Sequence, residues 1–200
     1  MSTPEACPMA DPYWAFYWPG GQAMTRFILD HRKTFGGKHV IDFGAGCGSA
    51  SIAASLVGAS RVLVNDIDQY ALLATLLNFR LNGVSVNNVS FSQENLLEKD
   101  LVVKNFFAES DEEKFIILGD MFYDSDFAAS LFAFLKRSQK SSGTRVFVGD
   151  PDRHPLTEKR SLESYRTKFE KRLVAEYSLP GYVIREHYGF NTAKVFELVF

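Results

Sequence analysis

The feature that most constrains this chain is the run Val40-Ile41-Asp42-Phe43-Gly44-Ala45-Gly46-Cys47-Gly48, followed at once by the alanine-rich segment Ser49–Val57. An apolar stretch ending in an acid, three alternate glycines and a helix-forming segment describe a strand, a tight turn and a helix whose first N–H groups lack partners. A βα unit of this kind belongs to open α/β sheets, and it presents its turn to a polar ligand.

The same rhythm continues along the chain. Strands are predicted at His39–Phe43, Arg61–Asn65, Val89–Ser92, Phe115–Leu118 and Arg145–Gly149. Met24, Phe27, Ile28 and His31 share one face of a helix predicted from Gly21 to about Phe35, stopped by Gly36-Gly37. Asp68 can cap a helix that carries Leu72, Leu76 and Phe79 and ends at Asn82-Gly83, and Asp124 or Ser125 can cap Phe127–Arg137. Leu96–Lys114 reads mainly as loop, with at most a helical turn at Leu101–Phe107. Towards the C-terminus the pattern predicts a polar helix near Ser161–Arg172, then strands at Val174–Leu179, Val183–His187 and Lys194–Val199 joined by short connections. The expected fold is a single-domain, doubly wound, Rossmann-like α/β sheet of mixed direction. Residues 38–150 form its βα core, 173–200 an antiparallel edge, and 1–20 an aromatic N-terminal loop.

Composition narrows the function classes. With 200 residues, 46% of them hydrophobic, the chain can bury one sizeable core. A net charge of -2 gives no bulk attraction to nucleic acid or anionic lipid, and no apolar run approaches the roughly 20 residues of a membrane helix. Cys7 and Cys47 stand far apart, which suggests neither a disulfide framework nor a structural metal. Residues 1–10 contain Glu5 and no Lys or Arg, unlike a secretory signal or a mitochondrial presequence.

Asp42 separates two ligands for the glycine turn: it would repel a dinucleotide's pyrophosphate and attract the ammonium of a methionine moiety. The glycine spacing departs from the dinucleotide fingerprint as well. Asp66 follows the second strand, where a carboxylate can accept both hydroxyls of an adenosine ribose, although an acid there also serves as a helix cap. Asn95 follows the third strand and is placed to meet the adenine edge or to make a turn. Gly119-Asp120-Met121-Phe122-Tyr123-Asp124 puts an acid and two aromatics at the end of the fourth strand. A carboxylate with aromatic rings suits a lysine side chain. Asp120 would hold the protonated amine, which cannot attack, so its role is positioning, and no general base is assigned. Of Phe122 and Tyr123, one is expected to cap the core, and Tyr123 is taken as the exposed one.

With these residues in place, the chain resembles the seven-β-strand (class I) protein-lysine methyltransferases, and within them the group that acts on the electron transfer flavoprotein β subunit. The likeness rests on Asp11–Ala23, Asp42–Gly48, Ala59–Asp68, Gly119–Asp124 and Arg145–Pro151. It implies a seven-stranded sheet and S-adenosylmethionine as cofactor, with Trp18, Asp42, Gly44, Gly46, Gly48 and Asp66 as cofactor residues. It makes Asp120 to Tyr123 the substrate-lysine motif. It also implies a flavoprotein substrate methylated on exposed lysines, and the mitochondrial matrix as the location. Three other readings share parts of the pattern: a small-molecule methyltransferase with Tyr13–Trp18 as a lid, a nicotinamide-dependent oxidoreductase, and a non-catalytic cofactor-binding scaffold.

Overall fold

Strand β1 (His39–Phe43) is buried along its whole length, which is what a central parallel strand requires of a run such as His-Val-Ile-Asp-Phe. The computed structural model describes residues 12–108, 112–153, 156, 169–187 and 189–200. Around β1 stand β2 (Arg61–Asn65), β3 (Val89–Ser92), β4 (Lys114–Gly119), β5 (Arg145–Asp150), β6 (Glu170–Ser178) and β7 (Thr192–Val199). They form one seven-stranded sheet in the order β3-β2-β1-β4-β5-β7-β6. The first five strands run parallel, while β7 pairs antiparallel with both β5 and β6. The strand order reverses at β1, which lies between β2 and β4, so the crevice for a ligand opens at the carboxyl ends of these strands.

Alternate strand residues feed two cores. Val40, Val62, Phe115, Ile117 and Phe147 meet α1 (Pro19–Asp30), α2 (Arg32–Phe35), α3 (Ser49–Leu56) and α4 (Gln69–Leu81) on one face. Ile41, Phe43, Ile116, Leu118 and Val148 meet α5 (Asp100–Phe107) and α6 (Ser125–Ser142) on the other. The Asp68 carboxylate caps α4 by accepting from the Tyr70 N–H, and Asp124 caps α6 by accepting from Phe127. Strand β6 is mostly exposed and studded with Glu170, Lys171, Arg172 and Glu176, charges that discourage further pairing at this edge.

Several expectations are corrected. The helix predicted from Gly21 to Phe35 is two helices, divided at His31, whose ψ of 45° is not helical. Residues Leu101–Phe107 are not loop: they belong to α5, because Val103, Phe106 and Phe107 give the sheet face a buried anchor. The buried face of α4 is Ala71, Thr75 and Phe79, with Leu72 and Leu76 only partly buried. Val183–His187 is not a strand. Pro180 and Gly181 start a short helix, α7 (Gly181–Glu186), that buries Val183, so β6 and β7 are joined by a helix instead of a short turn. Of the polar helix predicted at Ser161–Arg172, residues 161–168 lie outside the described residues, and Glu170–Arg172 belong to β6. Asp11, which opens the aromatic segment, also lies outside them.

Candidate active site

The turn after β1 makes a close approach that only glycine permits. Gly48 has φ 80°, and a Cβ there would lie 2.3 Å from Thr75 Cγ2 on α4. At Gly44, with φ 66°, a Cβ would lie 2.4 Å from Met121 Sδ, so the loops after β1 and β4 are in contact. Gly46 is held between two neighbours: its N–H donates to Asp66 Oδ2 at 2.9 Å, and its carbonyl accepts from Thr75 Oγ1 at 3.0 Å. The other oxygen of Asp66 accepts from the Asp68 N–H at 3.0 Å. Burial pushes the Asp66 carboxyl upward. Asp66 therefore stands against the glycine turn, half-buried, with acceptor capacity left for the two hydroxyls of a ribose.

Asp42 is 3% exposed, and its Oδ2 accepts from the Ser51 N–H at 3.0 Å and the Ser51 hydroxyl at 2.6 Å. Burial pushes its carboxyl up to about 6. It braces the first turn of α3 and so shapes the glycine loop. Its bonds to Ser51 run through Oδ2 and give it a supporting role beneath the glycine turn. Asn95 sits in a turn, accepting from the Leu97 N–H and donating to Glu98 Oε1, so its amide is engaged locally.

The aromatic segment reaches over this crevice. Trp18 is half-buried, donates its indole N–H to the Tyr13 carbonyl at 2.8 Å, and packs on His187 at 5.1 Å between ring centroids. Trp14, which sequence reasoning did not single out, lies nearer the turn: its Cα is 3.7 Å from where a Gly46 Cβ would be, and its indole N–H is buried with no partner. Proline on both sides of the aromatic run signals a shaped loop, but not which of its residues lies against Gly46.

After β4 the chain turns at Asp120, whose φ of 58° is left-handed. Asp120 is 7% exposed; its Oδ2 accepts from the Gly21 N–H at 2.9 Å, and its Oδ1 accepts from Arg153 Nε at 3.2 Å and Nη2 at 2.9 Å. Both oxygens accept within the protein, so the carboxylate anchors the first turn of α1 and is paired with Arg153. Phe122 is corrected as a substrate contact, because it is fully buried against Phe132 at 4.9 Å. Tyr123 is 62% exposed, stacks on Phe127, and feels the charges of Asp124 and Asp66, which with burial raise its phenol.

Two further groups were missed. Asp150 ends β5, is fully buried, accepts from the Arg153 N–H through Oδ1 and has no partner for Oδ2; burial pushes it up to about 7. Arg153 follows three residues later. The acid and the arginine are visible in Gly149-Asp150-Pro151-Asp152-Arg153, but their pairing partners lie on another loop.

A profile of ribosomal protein L11 methyltransferases matches residues 22–113. The chain is 60% identical to an electron transfer flavoprotein beta subunit lysine methyltransferase homolog of Caenorhabditis elegans, over 100% of this chain and 83% of that protein. It is 42% identical to the electron transfer flavoprotein beta subunit lysine methyltransferase of Xenopus laevis, over 97% of this chain and 72% of that one. Among solved structures, magnesium protoporphyrin IX methyltransferase from Synechocystis, with S-adenosylmethionine bound, superposes with a TM-score of 0.60 at 17% identity, covering 90% of this chain and 79% of that one. The glycine cradle, the carboxylate beside it and the reversal of strand order at β1 are thus those of a class I methyltransferase, and the chain belongs to the electron transfer flavoprotein β-subunit lysine methyltransferase family.

Proposed function

We propose that this enzyme transfers methyl groups from S-adenosylmethionine to lysine side chains of the electron transfer flavoprotein β subunit, in the mitochondrial matrix. The observation that carries the reading is the meeting of the glycine turn and the loop after β4, where Gly44 touches Met121 two residues before the exposed Tyr123. Gly44, Gly46 and Gly48 shape the cradle, Asp66 accepts the ribose hydroxyls, Asp42 braces the turn from beneath, and Trp14 and Trp18 bound the crevice above it. S-adenosylmethionine, when bound, supplies a methyl group on a sulfonium sulfur.

The chain's own residues then have one task, to align a neutral amine in a site that needs positioning more than covalent catalysis. Tyr123 offers an aromatic wall to the lysine stem, backed by Phe127 and flanked by Asp124. Tyr13, Phe16, Tyr17 and Tyr123 are all substantially exposed, which favours a folded protein substrate over a small molecule enclosed by a lid.

The test incubates the full chain with labelled S-adenosylmethionine and intact recombinant electron transfer flavoprotein, and maps the label by mass spectrometry. Label on β-subunit lysines is expected, with kcat/KM for Tyr123→Ala lower by about tenfold, the equivalent of ~1.4 kcal/mol of lost transition-state contact, and cofactor affinity unchanged. Cofactor binding without label on the flavoprotein would remove the substrate assignment and leave the methyltransferase.

A further inference from the structure

Arg153 joins the three segments that rim the site. Its guanidinium donates twice to Asp120 Oδ1 in the loop after β4, lies 5.8 Å from the Trp18 ring centroid and 5.5 Å from that of Phe190, and its backbone N–H donates to Asp150 Oδ1 at 2.5 Å. The side chains of Arg153 and Asp120 are 16% and 6% exposed, so little solvent screens the pair. A carboxylate so placed, left without its cation, would draw another cation to the rim.

The surrounding charges do not replace Arg153. Asp152 is paired with Lys194 of β7, and Lys171 of β6 donates to the Leu156 carbonyl while facing Asp150 and Asp152. His187, which follows α7, packs on Trp18 at 5.1 Å between ring centroids, and Asp66 and Asp124 lie on the Tyr123 side. Asp150 faces Arg153 and Asp120 and adds negative charge as pH rises through about 7.

We propose that Arg153 is a positioning residue for methyl transfer: it neutralises Asp120 and seats Trp18, so that Asp120 does not stand at the rim as an unpaired carboxylate and the substrate lysine is received as the neutral amine. This rests on the lysine-methylation reading above. An ammonium has no lone pair with which to attack, and an unpaired acid nearby would favour that unreactive form.

The experiment is the pH dependence of kcat at saturating intact flavoprotein, which reports the amine in the bound complex, for wild type, Arg153→Gln, Arg153→Lys, Asp120→Asn and the double variant Asp120→Asn/Arg153→Gln. Arg153→Gln is expected to move the rising limb to higher pH by about one unit, the effect of one close charge. Asp120→Asn leaves an unpaired cation and is expected to move the limb to lower pH. Arg153→Lys keeps the limb in place, and the double variant returns towards wild type. If both single charge-removing variants lower the rate evenly at all pH values with the limb unmoved, the proposal is overturned and the pair is only structural. Should Arg153→Gln fail to fold, an unmoved limb in Asp120→Asn or a displaced one in Arg153→Lys overturns it equally. Wild type that leaves the flavoprotein unlabelled would instead overturn the activity reading beneath it.

Discussion

Asp42, Asp66 and Asp120 each end or follow a strand, and in the sequence they look alike. The structure separates them by what their oxygens accept. Asp66 accepts from the Gly46 and Asp68 N–H groups, Asp42 accepts from Ser51 through Oδ2, and Asp120 accepts from Gly21 and Arg153. Asp150, fully buried with an unpartnered Oδ2, carries a consequence for stability. Its folded carboxyl is pushed from 3.8 to about 7, so the native state holds a proton that the unfolded chain releases. The associated stability is full below the unfolded value and is lost as pH rises through about 7. Asp150→Asn keeps an acceptor for the Arg153 N–H and stays neutral. Its melting temperature is therefore expected to exceed wild type at pH ~8, by on the order of 4 kcal/mol in stability, and the difference should vanish near pH ~4. Equal melting curves at both pH values would show that Asp150 does not titrate in this window.

Among the elements, the strands β1, β2 and β3 lie where apolar runs bounded by Gly, Asp and Asn predict them, because central parallel strands need little beyond a short buried stretch. Helix α5 was harder to read, since Asp100–Phe107 mixes three buried residues with exposed Leu101 and Lys104 and stands beside a charged segment. Its existence depends on packing. Phe107 is 1% exposed in the core shared with α6, so Phe107→Ala is expected to cost about 3 kcal/mol, read as a fall in the chemical-denaturation midpoint at unchanged slope. A loss within a few tenths of a kcal/mol would mean that α5 contributes little to the fold. Helix α7 was misread for the complementary reason: Val183 and Ile184 resemble strand residues, but Pro180 and the turn that brings Leu179 N–H to the Asn191 carbonyl set a helical course.

For the molecule as a whole, the proposed cofactor crevice draws on β1, β2, β4 and the segment before α1, so occupancy should stabilise the entire fold by mass action. The melting temperature is expected to rise with S-adenosylmethionine concentration, by an amount corresponding to about 2.7 kcal/mol at a hundred times Kd. Asp66→Asn should melt near wild type without cofactor and lose most of that rise. A wild-type melting temperature indifferent to cofactor would remove the cradle assignment. The α/β class, the parallel core, the glycine turn after β1 and the place of Asp66 at the end of β2 could be read from the sequence, because each depends on residues adjacent in the chain: a buried run, a positive φ, a strand end. That Trp14 lies against Gly46, that Phe122 turns inward while Tyr123 turns out, and that Arg153 pairs with Asp120 were decided by the tertiary structure alone. These contacts join residues as far apart as 120 and 153. Local propensity carries no information about such pairs, and only the packed sheet brings them within reach.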